Sequence, residues 1–367
     1  MKGFKSWLLL SLVVFLTGSR GAIAEPPAKK FVVGLILPLT GELADYGEAL
    51  RHGFDLAVSE SPEPFSHIEL RYQDSQYDQK AALSAFNALE HQSDVNLYHT
   101  WGVSPNETIL PLANQRGRPV LAETSMQSAA AKRPYVVRAA RTSYDAAEKM
   151  VEAAAARSYR HIGLVVTQIP YYIDFVEALR EFGPKKGVTF EIVSEPAASD
   201  QDFRSVIVKS KGKSFDAFGS LLLRSQILAF CDQAKTLRFT KPMFGAHIHN
   251  DHEALQHCLP LSDGAIFPGQ VVSRDFRDRY FAKFGTEARL DSAAHSYETA
   301  MIIAELFGRS ESYAFTPQII LERLATVRRE NSSVGPYRYT ESVRGGKSIS
   351  FNETVLNFKG GKVVAGQ

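Results

Sequence analysis

The densest set of chemically competent side chains is His247, His249, Asn250, Asp251 and His252, with His257 and Cys258 just beyond. Imidazole, carboxylate and thiolate groups are the usual ligands of zinc, but zinc sites use recurrent spacings. This run matches none of them, and two of its histidines fall on a predicted helix. Surface or cleft histidines are therefore expected, with no metal and no cofactor. Cys231 and Cys258 are the only 2 cysteines of the chain. They fall on successive predicted helices and could pair in an oxidising compartment, provided the fold brings their Cα atoms within about 7 Å. The sequence leaves that open. Nucleophilic, phosphate-binding and metallopeptidase chemistry all lack their signatures: no G-x-S-x-G elbow, P-loop, G-x-G-x-x-G after a strand, or H-E-x-x-H occurs. Asp275 and Asp278 sit on an exposed helix face and read as solvation. The chain is not expected to be an enzyme.

These side chains belong to a chain of 367 residues, 44% hydrophobic and 22% charged. Such a composition excludes a disordered chain and suits two or three domains. With 42 Lys+Arg against 40 Asp+Glu, the formal charge is +2. That is no basic excess of the kind nucleic-acid binding needs. Lys2 and Lys5 precede an apolar run from Trp7 to Leu16, and Ala22-Ile23-Ala24 follows with the small-x-small pattern of a cleavage site. A run of about ten residues spans about 15 Å as a helix, half the hydrocarbon core of a bilayer. Residues 1–24 therefore read as a cleavable signal peptide rather than an anchor, and the mature chain is expected to begin near Glu25. Loss of Lys2, Lys5 and Arg20 turns the formal +2 into −1.

The elements that must position the chemistry alternate strand and helix. Phe31 to Leu37 is a continuous apolar run, as in a strand buried on both faces. A helix is predicted over 47–59, then strands over 67–72, 95–99 and 119–122, interleaved with helices over 79–91 and 109–116. After 135–138 the cycle restarts near residue 142 and runs through strands at 161–166, 188–193, 217–222, 242–245 and 264–267. Repeated βαβ units imply parallel sheets covered on both faces, so the fold class is α/β with two doubly wound lobes. Three helices (276–284, 293–306 and 317–327) follow. Gly335, Gly345, Gly346, Gly360 and Gly361 then punctuate short β-like runs that predict a small terminal hairpin. Open α/β sheets bind ligands outside the carboxyl ends of their strands, which points to the loops that follow them.

Gly34-Leu35-Ile36-Leu37-Pro38-Leu39-Thr40-Gly41, then Tyr46-Gly47, Gly53 and Ala57, resembles the opening of the bacterial branched-chain amino-acid binding proteins. Asp74, the run Ala113 to Val120, and the stretch from Gln233-Ala234-Lys235 to Gly245 extend the similarity over about residues 31–331. The family comprises type I periplasmic binding proteins of ABC transporters. The resemblance implies a monomeric periplasmic protein whose two lobes, joined by a three-strand hinge, close on a small-molecule ligand, with a membrane permease as partner. It places the lobe crossings near residues 141, 271 and 332. The first lobe is then 31–141 plus 272–331, and the second 142–271 plus 332–367. A ligand-sensing module for a membrane signalling protein is the alternative with the same cleft.

Taken over position by position, the resemblance puts Tyr46 over the ligand. It assigns Trp101, Gly102 and Ser104 to the loop that offers hydroxyl and main-chain N–H groups to a ligand carboxylate, although an ungapped count puts the usual hydroxyl at Val103. Thr124 and Ser125 follow the fourth strand, where capping of the next turn is the other reading. Glu123 in that loop is out of place for carboxylate binding and either faces solvent or selects a cationic group. In the second lobe, Tyr171 or Tyr172 supplies the aromatic wall, and Arg224 is either a carboxylate partner at the cleft rim or a solvated side chain. His247 stands where amino-acid binders carry the acid that pairs with the ligand's ammonium group, a role imidazole cannot fill as an anion. An amide or carboxylate is thereby favoured over an ordinary amino acid.

Overall fold

The computed structural model describes residues 29–92, 94–246, 251–309 and 315–365. The expected signal peptide, its cleavage site and His247 lie outside the described residues. The chain runs β1 (Phe31–Leu37), α1 (Ala44–Glu60), α2 (Pro62–Phe65), β2 (Ile68–Asp74), α3 (Gln79–Glu90), β3 (Leu97–Trp101), α4 (Val103–Gln115), β4 (Val120–Glu123) and β5 (Val136–Arg138). It continues through α5 (Ser143–Ala156), β6 (His161–Val166), α6 (Pro170–Phe182), β7 (Thr189–Ser194), α7 (Arg204–Lys211), β8 (Ala217–Leu221), α8 (Arg224–Thr236), β9 (Met243–Phe244), α9 (His252–His257) and β10 (Ile266–Gly269). It ends with α10 (Arg274–Phe284), α11 (Leu290–Phe307), α12 (Pro317–Leu324), β11 (Arg328–Arg329), β12 (Tyr337–Ser342), β13 (Gly346–Phe351), β14 (Thr354–Lys359) and β15 (Lys362–Ala365).

Two sheets result, one in the order β11-β12-β13-β5-β4-β3-β1-β2 and the other β15-β14-β10-β9-β8-β6-β7. Each is parallel through its centre and ends at one edge in antiparallel strands, β11-β12-β13 in the first and β14–β15 in the second. This is the α/β, two-lobed architecture expected. β1 is buried at every position, because α1 and α11 cover one face of its sheet and α3 and α4 the other. α1 lies close enough to α11 that a Cβ at Gly53 would sit 2.4 Å from the Ala293 carbonyl oxygen. That proximity requires glycine, a cost in helix propensity recovered by the packing it permits.

Two features differ from the sequence expectation. β12 and β13 belong to the first sheet, where Ser348 pairs with Arg138, so residues 337–351 stand with the first lobe and not the second. The chain returns to the second sheet only at β14, which pairs antiparallel with β10. A hairpin's alternation cannot say which sheet edge it will join, since both edges offer the same unpaired groups. The second difference is α4, expected from residue 109 but beginning at Val103. Gly102 makes this possible: at φ 93° it turns the chain straight out of β3 into the helix.

The chain thus passes between sheets after β5, after β10 and after β13. Arg141 in the first connection bonds Glu353 in the third at 3.2 Å, and Gln270 in the second donates to the Asn352 carbonyl at 3.3 Å. In the second lobe Cys231 on α8 and Cys258 at the end of α9 form a disulfide, with Cα atoms 5.2 Å apart and a sequence separation of 27. Replacing both cysteines with Ala is expected to lower stability by about 3–4 kcal/mol, the chain-entropy value for a loop of that length. An unchanged denaturant midpoint would show the bridge to be dispensable.

Candidate ligand-binding site

The carboxyl ends of both sheets face one another across a cavity of about 420 Å³. Asp74, the last residue of β2, organises the first wall. Its carboxylate accepts from the backbone N–H groups of Leu39 and Gln76, each at 2.9 Å, and from Thr40. Burial opposes its ionisation, but the hydrogen bonds from Thr40, Gln76 and Leu39 hold it below the usual carboxylate range. The loop so anchored carries Gln76 and Tyr77 through the left-handed region, at φ 50° and 55°, and delivers the Tyr77 ring to the cavity.

Tyr77 then lies over the start of α4. Its ring is so close that a Cβ on Gly102 would be 2.4 Å from Cε2. Burial raises its hydroxyl's pKa, and the backbone N–H groups of Val103 and Ser104 nearby oppose that rise. The donors that open a helix are a ready anion site, and here the chain's own phenol ring covers them. Trp101 packs between Tyr77 and Tyr46, with ring centroids 5.7 and 5.2 Å away. The Arg289 guanidinium stacks on Tyr46 at 4.2 Å. From the second lobe come Ile169, Leu223 and the pair Tyr171 and Tyr172, whose rings are 5.5 Å apart. Tyr172 is fully buried and donates its hydroxyl to the Leu222 carbonyl at 2.8 Å.

Against these aromatic faces stand few polar groups. Glu123 ends β4 and is only 8% exposed. Burial pushes its carboxyl up to about 8; the Arg141 guanidinium and the Trp101 indole N–H pull it back, and Asp291 adds to the rise. Its Oε2 has no hydrogen-bond partner and lies 3.6 Å from Nε2 of His99, which also has none. His99 Nδ1 meets the Leu121 carbonyl at 3.1 Å, which makes Nδ1 the donor and leaves Nε2 without a proton. Burial lowers His99 to about 4 and His295 to about 3, so both rings are neutral at pH 7. Asp291, in the first turn of α11, lines the cavity and forms no ion pair among the described residues. Arg141 lines it too, but its charge is matched by Glu353.

Of the residues singled out from sequence, Tyr46, Trp101, Gly102, Thr124, Ser125, Tyr171 and Tyr172 all line this cavity. Both tyrosines of the second lobe contribute, where one was expected. Ser104 is not among its lining residues; Val103 is. Arg224 lines an adjoining cavity of about 970 Å³ instead. There it is bound to Asp251 at 2.6 Å and Glu253 at 2.9 Å, because α9 brings both acids against the start of α8. It is neither a carboxylate partner in the aromatic cavity nor a simple solvated side chain. Tyr77, Arg141, Asp291 and His295 are site residues that sequence reasoning missed. Asp74 was the available signal for Tyr77, since an acid that ends a strand can hold the following loop through its N–H groups.

The sequence profile of the periplasmic binding protein family matches residues 30–348. The chain belongs to that family. Solved structures with the same fold include a leucine-binding protein from Thermotoga maritima, 18% identical, with a TM-score of 0.79 over 92% of this chain and 98% of that one. A branched-chain amino-acid transporter substrate-binding protein from Streptococcus pneumoniae, in complex with isoleucine, is 21% identical, with a TM-score of 0.78 over 92% and 98%. A solute-binding protein of an ABC transporter from R. palustris, in complex with benzoate, is 16% identical, with a TM-score of 0.75 over 92% and 95%.

In this periplasmic binding protein the buried acid and the buried histidines leave opposite pH signatures. Glu123 is raised from 4.5 to about 8, so between those values the folded state holds the proton more tightly and stability falls as pH rises. His99 is lowered from 6.5 to about 4, so its contribution is lost as pH falls through that window. Glu123→Gln is expected to gain stability over the wild type progressively from pH 5 to pH 8 (about the span of the Glu123 shift). Parallel melting-temperature profiles for the two proteins across that range would contradict a buried, protonated Glu123.

Proposed function

We propose that this periplasmic binding protein is the solute-capturing component of an ABC importer, exported by residues 1–24 and delivering its ligand to a membrane permease. The observation that carries the reading is the aromatic cavity shared by the carboxyl ends of both sheets, with Tyr46 and Trp101 from one lobe facing Tyr171 and Tyr172 from the other. A ligand held there touches both lobes, so it binds the closed arrangement better than an open one and shifts the population toward it. The connections between the sheets are the elements that would flex. One of them presents Arg141 to the cavity while Glu353 holds it from another, so occupancy and hinge geometry are coupled.

The size and lining suit a small molecule with a flat or apolar body and one polar end. Isoleucine and benzoate, bound by the structural relatives, fit that description. Amino acids, amides and carboxylates are thus the starting set for a screen, and amines of similar size complete it.

A thermal-shift screen of such compounds, followed by small-angle scattering, tests the proposal. A true ligand at about 100 times its dissociation constant is expected to add about 2.7 kcal/mol of stability. It should also reduce the radius of gyration and alter the emission of Trp101. If every compound left all three unchanged, the transport reading would fall.

A further inference from the structure

We infer that the aromatic cavity takes a small organic cation, an ammonium group on a flat or apolar body, with its charge set between Glu123, Asp291 and the faces of Tyr46, Trp101, Tyr77 and Tyr171. The inference rests on the cleft being the ligand site and specifies which chemistry it accepts.

Three ways of holding an anion are closed in this chain. The Tyr77 ring lies over Gly102 and covers the start of α4, where N–H donors would otherwise be open to an anion. Arg224 is spent on Asp251 and Glu253 outside the cavity. Arg141 does face the cavity, but Glu353 at 3.2 Å already neutralises it. His99 and His295 are buried and uncharged. The ionisable groups lining the cavity are then Glu42 at the rim, the protonated Glu123, Asp291 and the paired Arg141, so acids outnumber bases.

Glu123 is the independent sign that something binds. A carboxyl group more than nine-tenths buried normally has its oxygens satisfied, yet Oε2 has no hydrogen-bond partner, and its polar neighbour, His99 Nε2 at 3.6 Å, has none either. Burial keeps the acid protonated in the empty protein, and a cation arriving beside it would restore the carboxylate. Asp291 supplies a second acid, and its charge has no cationic partner among the described residues. Aromatic rings complete the arrangement, since an ammonium group is attracted to their faces and loses little by leaving water there. An anion in the same place would meet the Asp291 carboxylate and the negative faces of the rings.

Four probes of similar size separate the possibilities: benzylamine, benzamide, benzoate and leucine, titrated calorimetrically into the purified chain at pH 7. Benzylamine is expected to bind at least tenfold more tightly than benzoate or leucine, and more tightly than benzamide. Glu123→Gln and Asp291→Asn should each weaken benzylamine tenfold or more while changing benzamide little. Tyr77→Ala, which removes the ring that covers the start of α4, should raise the affinity for benzoate. Preference for benzoate, benzamide or leucine overturns the cation assignment and leaves the cleft reading standing. If all four are silent, the wider screen decides: an amine as its hit upholds the assignment, an acid or neutral hit overturns it. No hit of any class overturns both.

Discussion

The chain passes three times between two sheets whose central strands are parallel, and the rest of the molecule follows from that constraint. Parallel strands end together at one edge, so each lobe collects its post-strand loops on a single side. Two of the connections leave just after β5 and β10, which turns both loop edges toward the same gap. Cross-ties fix the connections to one another: Arg141 to Glu353, and Gln270 to Asn352. The aromatic cavity is the space this geometry leaves.

Within that space, charge is arranged locally and not globally. A chain close to neutral cannot select a ligand by its overall field, so selection falls to the few polar groups that the aromatic rings leave uncovered. Arginines are present nearby, but each has an acid already in contact: Arg224 with Asp251 and Glu253, Arg289 with Asp45 at 2.8 Å, Arg141 with Glu353. Arg289 also reaches Asp251 at 3.6 Å, from the first lobe to the second, and stacks on Tyr46 at 4.2 Å. The same cation that braces the aromatic wall therefore also helps hold the lobes together. The acids facing the cavity have no such balance.

Much of this was legible from the residues. The apolar run of β1 is continuous because a strand covered on both faces buries every side chain, and the alternation of strands and helices after it announced two doubly wound lobes. The aromatic residues after the strands, Tyr46, Trp101, Tyr171 and Tyr172, were found because the carboxyl ends of parallel strands are where function gathers. Tyr77 escaped because its place depends on two left-handed residues and an acid tether, none of which leaves a periodic signal. The lobe assignment of residues 337–351 escaped because a hairpin carries no mark of the edge it will join.

The sequence by itself determined what local pattern can determine: which segments are strands and helices, that the strands pair in parallel, and which loops hold the aromatic residues. Tertiary structure alone decided which charges survive in the cavity. Glu123 and Arg224 look equally available in the sequence, yet packing buries the first without a counter-ion and ties the second to Asp251 and Glu253. Burial and pairing are properties of what surrounds a side chain, and those neighbours come from distant parts of the chain. The disulfide obeys the same rule, since two cysteines on successive helices become a bond only when packing sets their Cα atoms 5.2 Å apart.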